Sequence, residues 1–123
     1  LMGASGGHSD TAAGAKLAVI VVPLIRGRLP MIRDKVQTVI TPGESIDVIV
    51  TERGVAINPK RTDLLEKLKD SNLPLYTIQE LQQMSYDLVG KPKDIEVSQE
   101  DKDIVAVVEY RDGSIIDLVR KPL

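Results

Sequence analysis

The interior of this protein has to be built without phenylalanine or tryptophan, because the 123-residue chain contains neither. Its aromatic residues are Tyr76, Tyr86 and Tyr110. Valine, isoleucine and leucine must fill the core, and the β-branched ones cluster in short runs. Side chains branched at Cβ are stiff and pack well on a pleated surface, so such runs favour strands. Apolar residues make up 42% of the chain. That is enough for a core in one domain of ordinary size.

The runs predict an order of elements. Leu17-Ala18-Val19-Ile20-Val21-Val22 is unbroken and apolar, as expected of a strand buried on both faces, and Pro23 closes it. Residues 36–41 read as a second strand, ended by the turn signal Pro42-Gly43. Residues 46–51 and 55–58, joined through Glu52-Arg53-Gly54, read as a hairpin. Two helices follow. Thr62 is expected to cap residues 63–69, with Leu64, Leu65 and Leu68 on one face, until Asn72-Leu73-Pro74 breaks the helix. Thr77-Ile78-Gln79-Glu80 is a capping box, in which two side chains satisfy each other's backbone N–H groups. Leu81, Met84 and Leu88 then recur at helical spacing, and Gly90 and Pro92 mark the stop. Residues 91–102 are charged and aperiodic, and read as a linker or surface excursion. Asp112-Gly113 lies between two β-branched runs, which predicts a closing hairpin with a type I′ turn. The chain is therefore expected to be α/β, with a mixed sheet, flanking helices and a terminal β-hairpin. Residues 1–92 form its main part and residues 93–123 a polar linker and hairpin packing on it.

Composition narrows the function. The formal net charge is −2, with both signs mixed along the chain. A nucleic-acid binder calls for a basic stripe, and single-strand binders also need aromatic platforms. Neither is present. The absence of cysteine excludes disulfides, thiolate metal sites and cysteine nucleophiles. No apolar run approaches the roughly 20 residues that span a bilayer. The start carries neither a charged n-region nor a long apolar h-region. A cytoplasmic protein with no nucleic-acid or membrane partner is expected.

The stretch Gly3-Ala4-Ser5-Gly6-Gly7-His8-Ser9-Asp10 is the poorest in side-chain bulk, and it holds the one histidine. Without a Cβ in the way, backbone N–H groups can approach a carbonyl or an anion closely. Asp10 or Ser9 is a plausible cap for a short helix over residues 11–15. Composition alone reads this stretch equally well as an oxyanion cradle or as a linker. It is neither a P-loop nor a dinucleotide fingerprint. For His8 a structural or solvent-facing role competes with that of general base, and no nucleophile elbow supports the latter. Arg26 and Arg28 flank Gly27 and fit either a carboxylate clamp or a solvated loop. Asp94, Glu96, Glu100, Asp101 and Asp103 lack the spacing of a calcium loop, and no metal is expected.

Several motifs in order resemble one family. Gly3 to Leu17, then Val39-Ile40-Thr41-Pro42-Gly43-Glu44, then Val50-Thr51-Glu52-Arg53-Gly54-Val55-Ala56-Ile57-Asn58-Pro59, then Val105-Ala106-Val107-Val108-Glu109-Tyr110-Arg111-Asp112-Gly113 are similar to the citrate lyase alpha chains. These are a branch of the family I CoA-transferases, and nearly the whole chain takes part in the likeness. The resemblance implies the C-terminal part of a CoA-transferase-like domain that exchanges citrate for acetate on a thioester. The thiol belongs to the phosphoribosyl-dephospho-CoA group of an acyl carrier protein, and a separate citryl-lyase subunit cleaves the product. This CoA-like thioester is a substrate, and no tightly bound cofactor is expected. A homo-oligomer is compatible with the likeness.

By the same resemblance, Gly6 and Gly7 belong to an oxyanion loop, with Ser5 and His8 beside it as substrate-binding residues. The wider family often has glycine where Ala4 stands. The family's nucleophilic glutamate lies upstream of Gly3, and Glu44, Glu52 and Glu109 do not sit in its motif. The chain is thus expected to be a C-terminal piece, inactive alone. A non-catalytic, self-associating fragment and an anion-binding module are the alternatives.

Overall fold

The computed structural model describes residues 6–123. Its elements run in the order α1 (Gly6–Gly14), β1 (Val19–Val21), β2 (Ile25–Arg26), β3 (Leu29–Pro30), β4 (Val48–Val50), β5 (Val55–Ile57), α2 (Thr62–Leu68), β6 (Leu75–Tyr76), α3 (Ile78–Val89), β7 (Ile104–Glu109) and β8 (Ile115–Arg120). Two 3-10 turns, Gly43–Ser45 and Asp101–Asp103, interrupt the coil. The α/β class, the mixed sheet and the terminal hairpin agree with the sequence reading.

The main sheet has the order β1-β4-β5-β6. β1 runs parallel to β4, β4 antiparallel to β5, and β5 parallel to β6. The register puts Ile20, Ile49, Ala56 and Tyr76 on one face. On that side Leu24, Ile32, Ala56 and Leu81 form the buried core, with Ile25, Tyr76, Ile78 and Met84 packed against it. Helix α3 supplies Leu81 and Met84, and aliphatic side chains do fill this interior.

Thr51 organises the β4–β5 turn. Its hydroxyl accepts from the N–H groups of Arg53 and Gly54 and donates to the Gly54 carbonyl. Gly54 is required there by close approach. A Cβ would stand 2.4 Å from a ring carbon of Tyr76 and 2.9 Å from the Pro74 carbonyl oxygen. The capping box of α3 forms as expected. Thr77 Oγ1 accepts from the Glu80 N–H, and the Glu80 carboxylate accepts from the Thr77 N–H.

Several local expectations are corrected. Helix α1 spans Gly6–Gly14, so Ser9 and Asp10 lie inside it and neither is its cap. Ser9 and Ala12, three apart, turn their small side chains inward and are buried. Among the described residues β1 is an edge strand with one partner, and Val19 and Val21 are exposed, Val21 to 78%. Residues 36–41 form no strand. They are held by isolated bonds, Val39 N–H to the Asp117 carboxylate and the Gln37 amide to the Ile95 carbonyl. In α2, Thr62 is a helical residue and Arg61 takes the cap position, while no α2 residue is buried. In α3 Leu88 is exposed and Ser85 is buried, where its hydroxyl donates to the Gln82 carbonyl at 2.6 Å.

The closing hairpin pairs β7 with β8 antiparallel, as read. Its turn differs from type I′, which needs φ > 0 at both central residues. Only Gly113 has a positive φ, 85°, while the Gly113 N–H donates to the Tyr110 carbonyl and the Tyr110 N–H to the Ser114 carbonyl. This is a type I turn continued by a left-handed glycine, the other common hairpin solution. No described helix is long and apolar enough to cross a membrane.

Candidate functional site

Helix α1 carries the glycine-rich stretch. Gly6, Gly7 and His8 form its described start, and Gly7 and His8 are exposed. The first N–H groups of a helix have no intrahelical acceptor and point along the axis, where the peptide dipoles favour negative charge. The Thr11 hydroxyl donates to the Gly7 carbonyl at 2.6 Å and stiffens this turn. A Cβ at Gly7 would meet nothing within 4 Å. Packing within the described residues therefore does not demand glycine here, in contrast to Gly54. Ser5 lies outside the described residues.

His8 is tied to a distant part of the chain. Its Nδ1 lies 2.7 Å from Thr41 Oγ1, 33 positions away. Thr41 precedes the 3-10 turn at Gly43–Ser45, which packs against α1. Asn58, at the end of β5, holds that turn through its side-chain amide, which donates to the Ile46 carbonyl at 2.8 Å. The Asn58 N–H donates to the Asp47 carbonyl.

Below this turn Asp47, Arg61 and Asp63 form an ion-pair cluster. Asp47 accepts from the Ala18 N–H at 2.7 Å and pairs with Arg61 at 2.7 Å. The Ala18 N–H first, and the Arg61 guanidinium second, hold its carboxyl below the usual carboxylate range. Arg61 also grips both oxygens of Asp63, at 2.8 and 2.9 Å. That grip draws Asp63 down to about 2 and lifts Arg61 further above its already high value. The cluster joins the start of β1, the approach to β4 and the start of α2. Its residues are fully paired with one another, so its role is to fix the Thr41 turn against the sheet.

The other candidates disperse. Arg26 and Arg28 sit on the small β2–β3 hairpin, exposed and separated by Gly27, with no ion pair among the described residues. Asp94 pairs with Arg33, Glu100 with Lys102, Asp101 with Arg120 and Asp103 with Lys121. No group of three possible metal ligands exists among the described residues. Glu52 accepts from the Leu24 N–H at 2.9 Å, a bond that holds its carboxyl below the usual range. Glu44 pairs with Lys60 at 3.7 Å. Two shallow concavities of about 330 and 260 Å3 lie against α3, one lined by Ile32, Ile78 and Gln82, the other by Leu24, Met84 and Leu88, and neither reaches α1.

Fold and site together define a mixed α/β segment whose first described helical turn, Gly6-Gly7, stands beside a threonine-anchored histidine. The family described as citrate lyase, alpha subunit (CitF), matches residues 1–122. The chain belongs to that family. It is 55% identical over 121 residues to the citrate lyase alpha chain of Klebsiella pneumoniae, covering 98% of this chain and 23% of that one. The Escherichia coli citrate lyase alpha chain is 47% identical over 121 residues, with the same coverage of 98% and 23%. A solved alpha subunit of citrate lyase from Streptococcus mutans, in complex with citrate, superposes with a TM-score of 0.91 at 55% identity. It is matched over 98% of this chain and 23% of its own. The chain thus spans about a quarter of the length of these relatives.

Proposed function

We propose that this segment forms the oxyanion wall of a citrate:acyl-carrier-protein transferase, the alpha subunit of citrate lyase. The subunit exchanges acetate for citrate on the thioester of the carrier's CoA-like prosthetic group. The observation that carries the reading is the start of α1. Gly7 is exposed there and a Cβ would meet nothing within 4 Å, so no packing within the described residues calls for glycine at this position. A relative at 55% identity whose structure holds citrate supports the substrate.

The chemistry is acyl exchange through a carboxylate nucleophile. A glutamate attacks the acetyl thioester and expels the thiolate, leaving an acetyl-glutamyl anhydride. The thiolate attacks the glutamyl carbonyl and releases acetate. A citrate carboxylate attacks the resulting glutamyl thioester, giving a citryl-glutamyl anhydride and thiolate again. Attack of the thiolate on the citryl carbonyl yields the citryl thioester and restores the glutamate. Each attack puts negative charge on a carbonyl oxygen, and preorganised N–H donors stabilise that charge without reorganising. Gly6 and Gly7 supply such donors, while His8 faces the substrate carboxylates and Ser5 is a further substrate-binding residue. The glutamate comes from elsewhere in the longer subunit. Glu52 and Glu44 are engaged by Leu24 and Lys60, which supports that assignment. The carrier protein and the citryl-lyase subunit are the partners, in the cytoplasm, and no tightly held cofactor takes part.

Isotope exchange between labelled citrate and citryl carrier protein tests the reading. The full-length subunit exchanges label, and the 123-residue chain alone does not. Exchange by this chain alone would overturn the assignment of the nucleophile. A full-length subunit that exchanges nothing would overturn the activity.

A second reading for the chain in isolation is self-association. Among the described residues β1 pairs on one side only, with Val19 and Val21 exposed, and β7 exposes Val105 and Val107. Exposed apolar edges of this kind pair with other strands.

A further inference from the structure

We infer that Thr41 is a positioning residue for citrate, acting by holding the His8 imidazole with its Nε2 proton toward a substrate carboxylate. The inference rests on the proposed role of His8 and deepens it.

The contact joins two segments 33 positions apart, at 2.7 Å between Nδ1 and Oγ1. A carboxylate only accepts hydrogen bonds, so an imidazole that binds one must donate. If Nδ1 is engaged by Thr41, the donor is Nε2. In neutral histidine, Nε2 keeps its proton only when Nδ1 accepts, so the Thr41 hydroxyl donates. In the imidazolium both nitrogens donate, so the Thr41 hydroxyl accepts. A hydroxyl serves either state because it both donates and accepts. An amide or carboxylate acceptor at this place would hold only one of them without rearranging. Thr41 therefore keeps the ring oriented in either form.

Thr41 is itself held from both sides. On one side the Val39 N–H is bound by the Asp117 carboxylate of β8 at 2.8 Å. On the other, the Ser45 N–H donates to the Pro42 carbonyl at 3.0 Å, and Asn58 grips the Ile46 carbonyl at 2.8 Å. His8 stands on a helix whose turn is closed by the Thr11–Gly7 bond. A ring fixed at both ends of its contact loses little freedom when a ligand arrives, which is the energetic benefit of preorganisation.

The consequence is specific to one substrate. Acetate has a single carboxylate, and that group reacts. Citrate brings two further carboxylates and a hydroxyl. A histidine held beside the oxyanion wall discriminates between the acids through groups that acetate lacks.

The test uses the full-length alpha subunit with its acyl carrier protein. Thr41→Val, Thr41→Ala, Thr41→Ser, His8→Ala and the double variant Thr41→Val/His8→Ala are compared, each with a melting curve. Citrate affinity is read twice, as KM in exchange and by direct calorimetric titration with citrate, so the second readout survives if the exchange reaction fails. A hydrogen bond to a charged partner corresponds to about a tenfold effect or more. Thr41→Val and Thr41→Ala are expected to weaken citrate about tenfold, leaving kcat and the KM for acetate within about twofold. Thr41→Ser restores citrate binding. In the His8→Ala background Thr41→Val adds nothing. Thr41→Val and Thr41→Ala both folded and binding citrate normally would overturn the inference, as would a serine variant as impaired as the valine one. So would effects of Thr41→Val and His8→Ala that multiply. If His8→Ala leaves citrate binding unchanged, the role of His8 falls and this inference with it. If His8→Ala weakens citrate and the Thr41 variants do not, this inference alone falls.

Discussion

The two ends of the main sheet are built on different principles. At the β5–β6 end, α3 lies across Ala56 and buries Leu81 completely, with Leu24 and Ile32 beside it. That end is held by apolar packing. At the β1 end, the buried residues described in α1 are Ser9 and Ala12, both small, and Val19 and Val21 of β1 are exposed. That end is held by polar ties, His8 to Thr41, Asp10 to Arg111 at 3.5 Å, and Asp47 to Ala18 and Arg61. Packing gives strength without direction, whereas hydrogen bonds fix directions at modest net energy. The contrast assigns stability to the α3 end and orientation of chemical groups to the α1 end.

Four substitutions, one of them read across a pH series, can break this contrast. The largest effect is expected for Leu81→Ala, which empties the centre of the packed end. It should cost about 3 kcal/mol, read as a shift of the urea midpoint. A loss below about 1 kcal/mol would mean that the core is not where stability resides.

Next come the two glycines. Gly54→Ala places a methyl against the Tyr76 ring and the Pro74 carbonyl, and should cost about 2 kcal/mol. Gly7→Ala meets open space within a helix and should stabilise the chain by about 0.5 kcal/mol, while lowering exchange by the full-length subunit. A Gly7→Ala variant with unaltered turnover would remove Gly7 from the oxyanion wall.

The smallest effect is graded with pH. Asp47 and Asp63 titrate lower in the folded protein than the ordinary 3.8, Asp63 at about 2. The unfolded chain therefore binds protons more tightly, and stability falls as the solution is acidified. The contribution is complete above about pH 4 and is lost as the pH falls towards 2. Melting temperatures from pH 6 to pH 2.5 should show this decline, and Asp47→Asn should start lower and decline less. An identical slope for both would remove Asp47 from the cluster that steadies the Thr41 turn.

The same contrast separates what was legible in the sequence. Thr77 and Glu80 are three residues apart, and their reciprocal bonds depend on nothing distant, so the capping box could be read directly. Residues 104–110 and 115–119 declared a hairpin because the strands that pair are neighbours in the chain. The turn type was misread because Asp112-Gly113 is compatible with two solutions, and strand register selected the one with a single positive φ. Residues 36–41 have strand composition but no neighbouring strand among the described residues, and composition alone cannot supply one. β1 looked doubly buried because its residues are all apolar, yet exposure depends on what is stacked against it. Gly6 and Gly7 stood out through their lack of bulk, and His8 through its rarity. Thr41 and Asn58 lie in motifs of the family resemblance, but their roles were not legible, because their bonds to α1 and to the β4 approach cross long stretches of chain.

By itself, then, the sequence determined the elements whose bonds close within a few residues, the aliphatic character of the core, and the family to which the chain belongs. Only the tertiary structure decided that Ser9 and Asp10 lie within a helix, that β1 has one partner among the described residues, and that His8 is held by Thr41. The physical reason is range. Capping, turn chemistry and periodicity are properties of adjacent residues, while edge position, burial and the orientation of an imidazole depend on groups that meet only once the chain has folded.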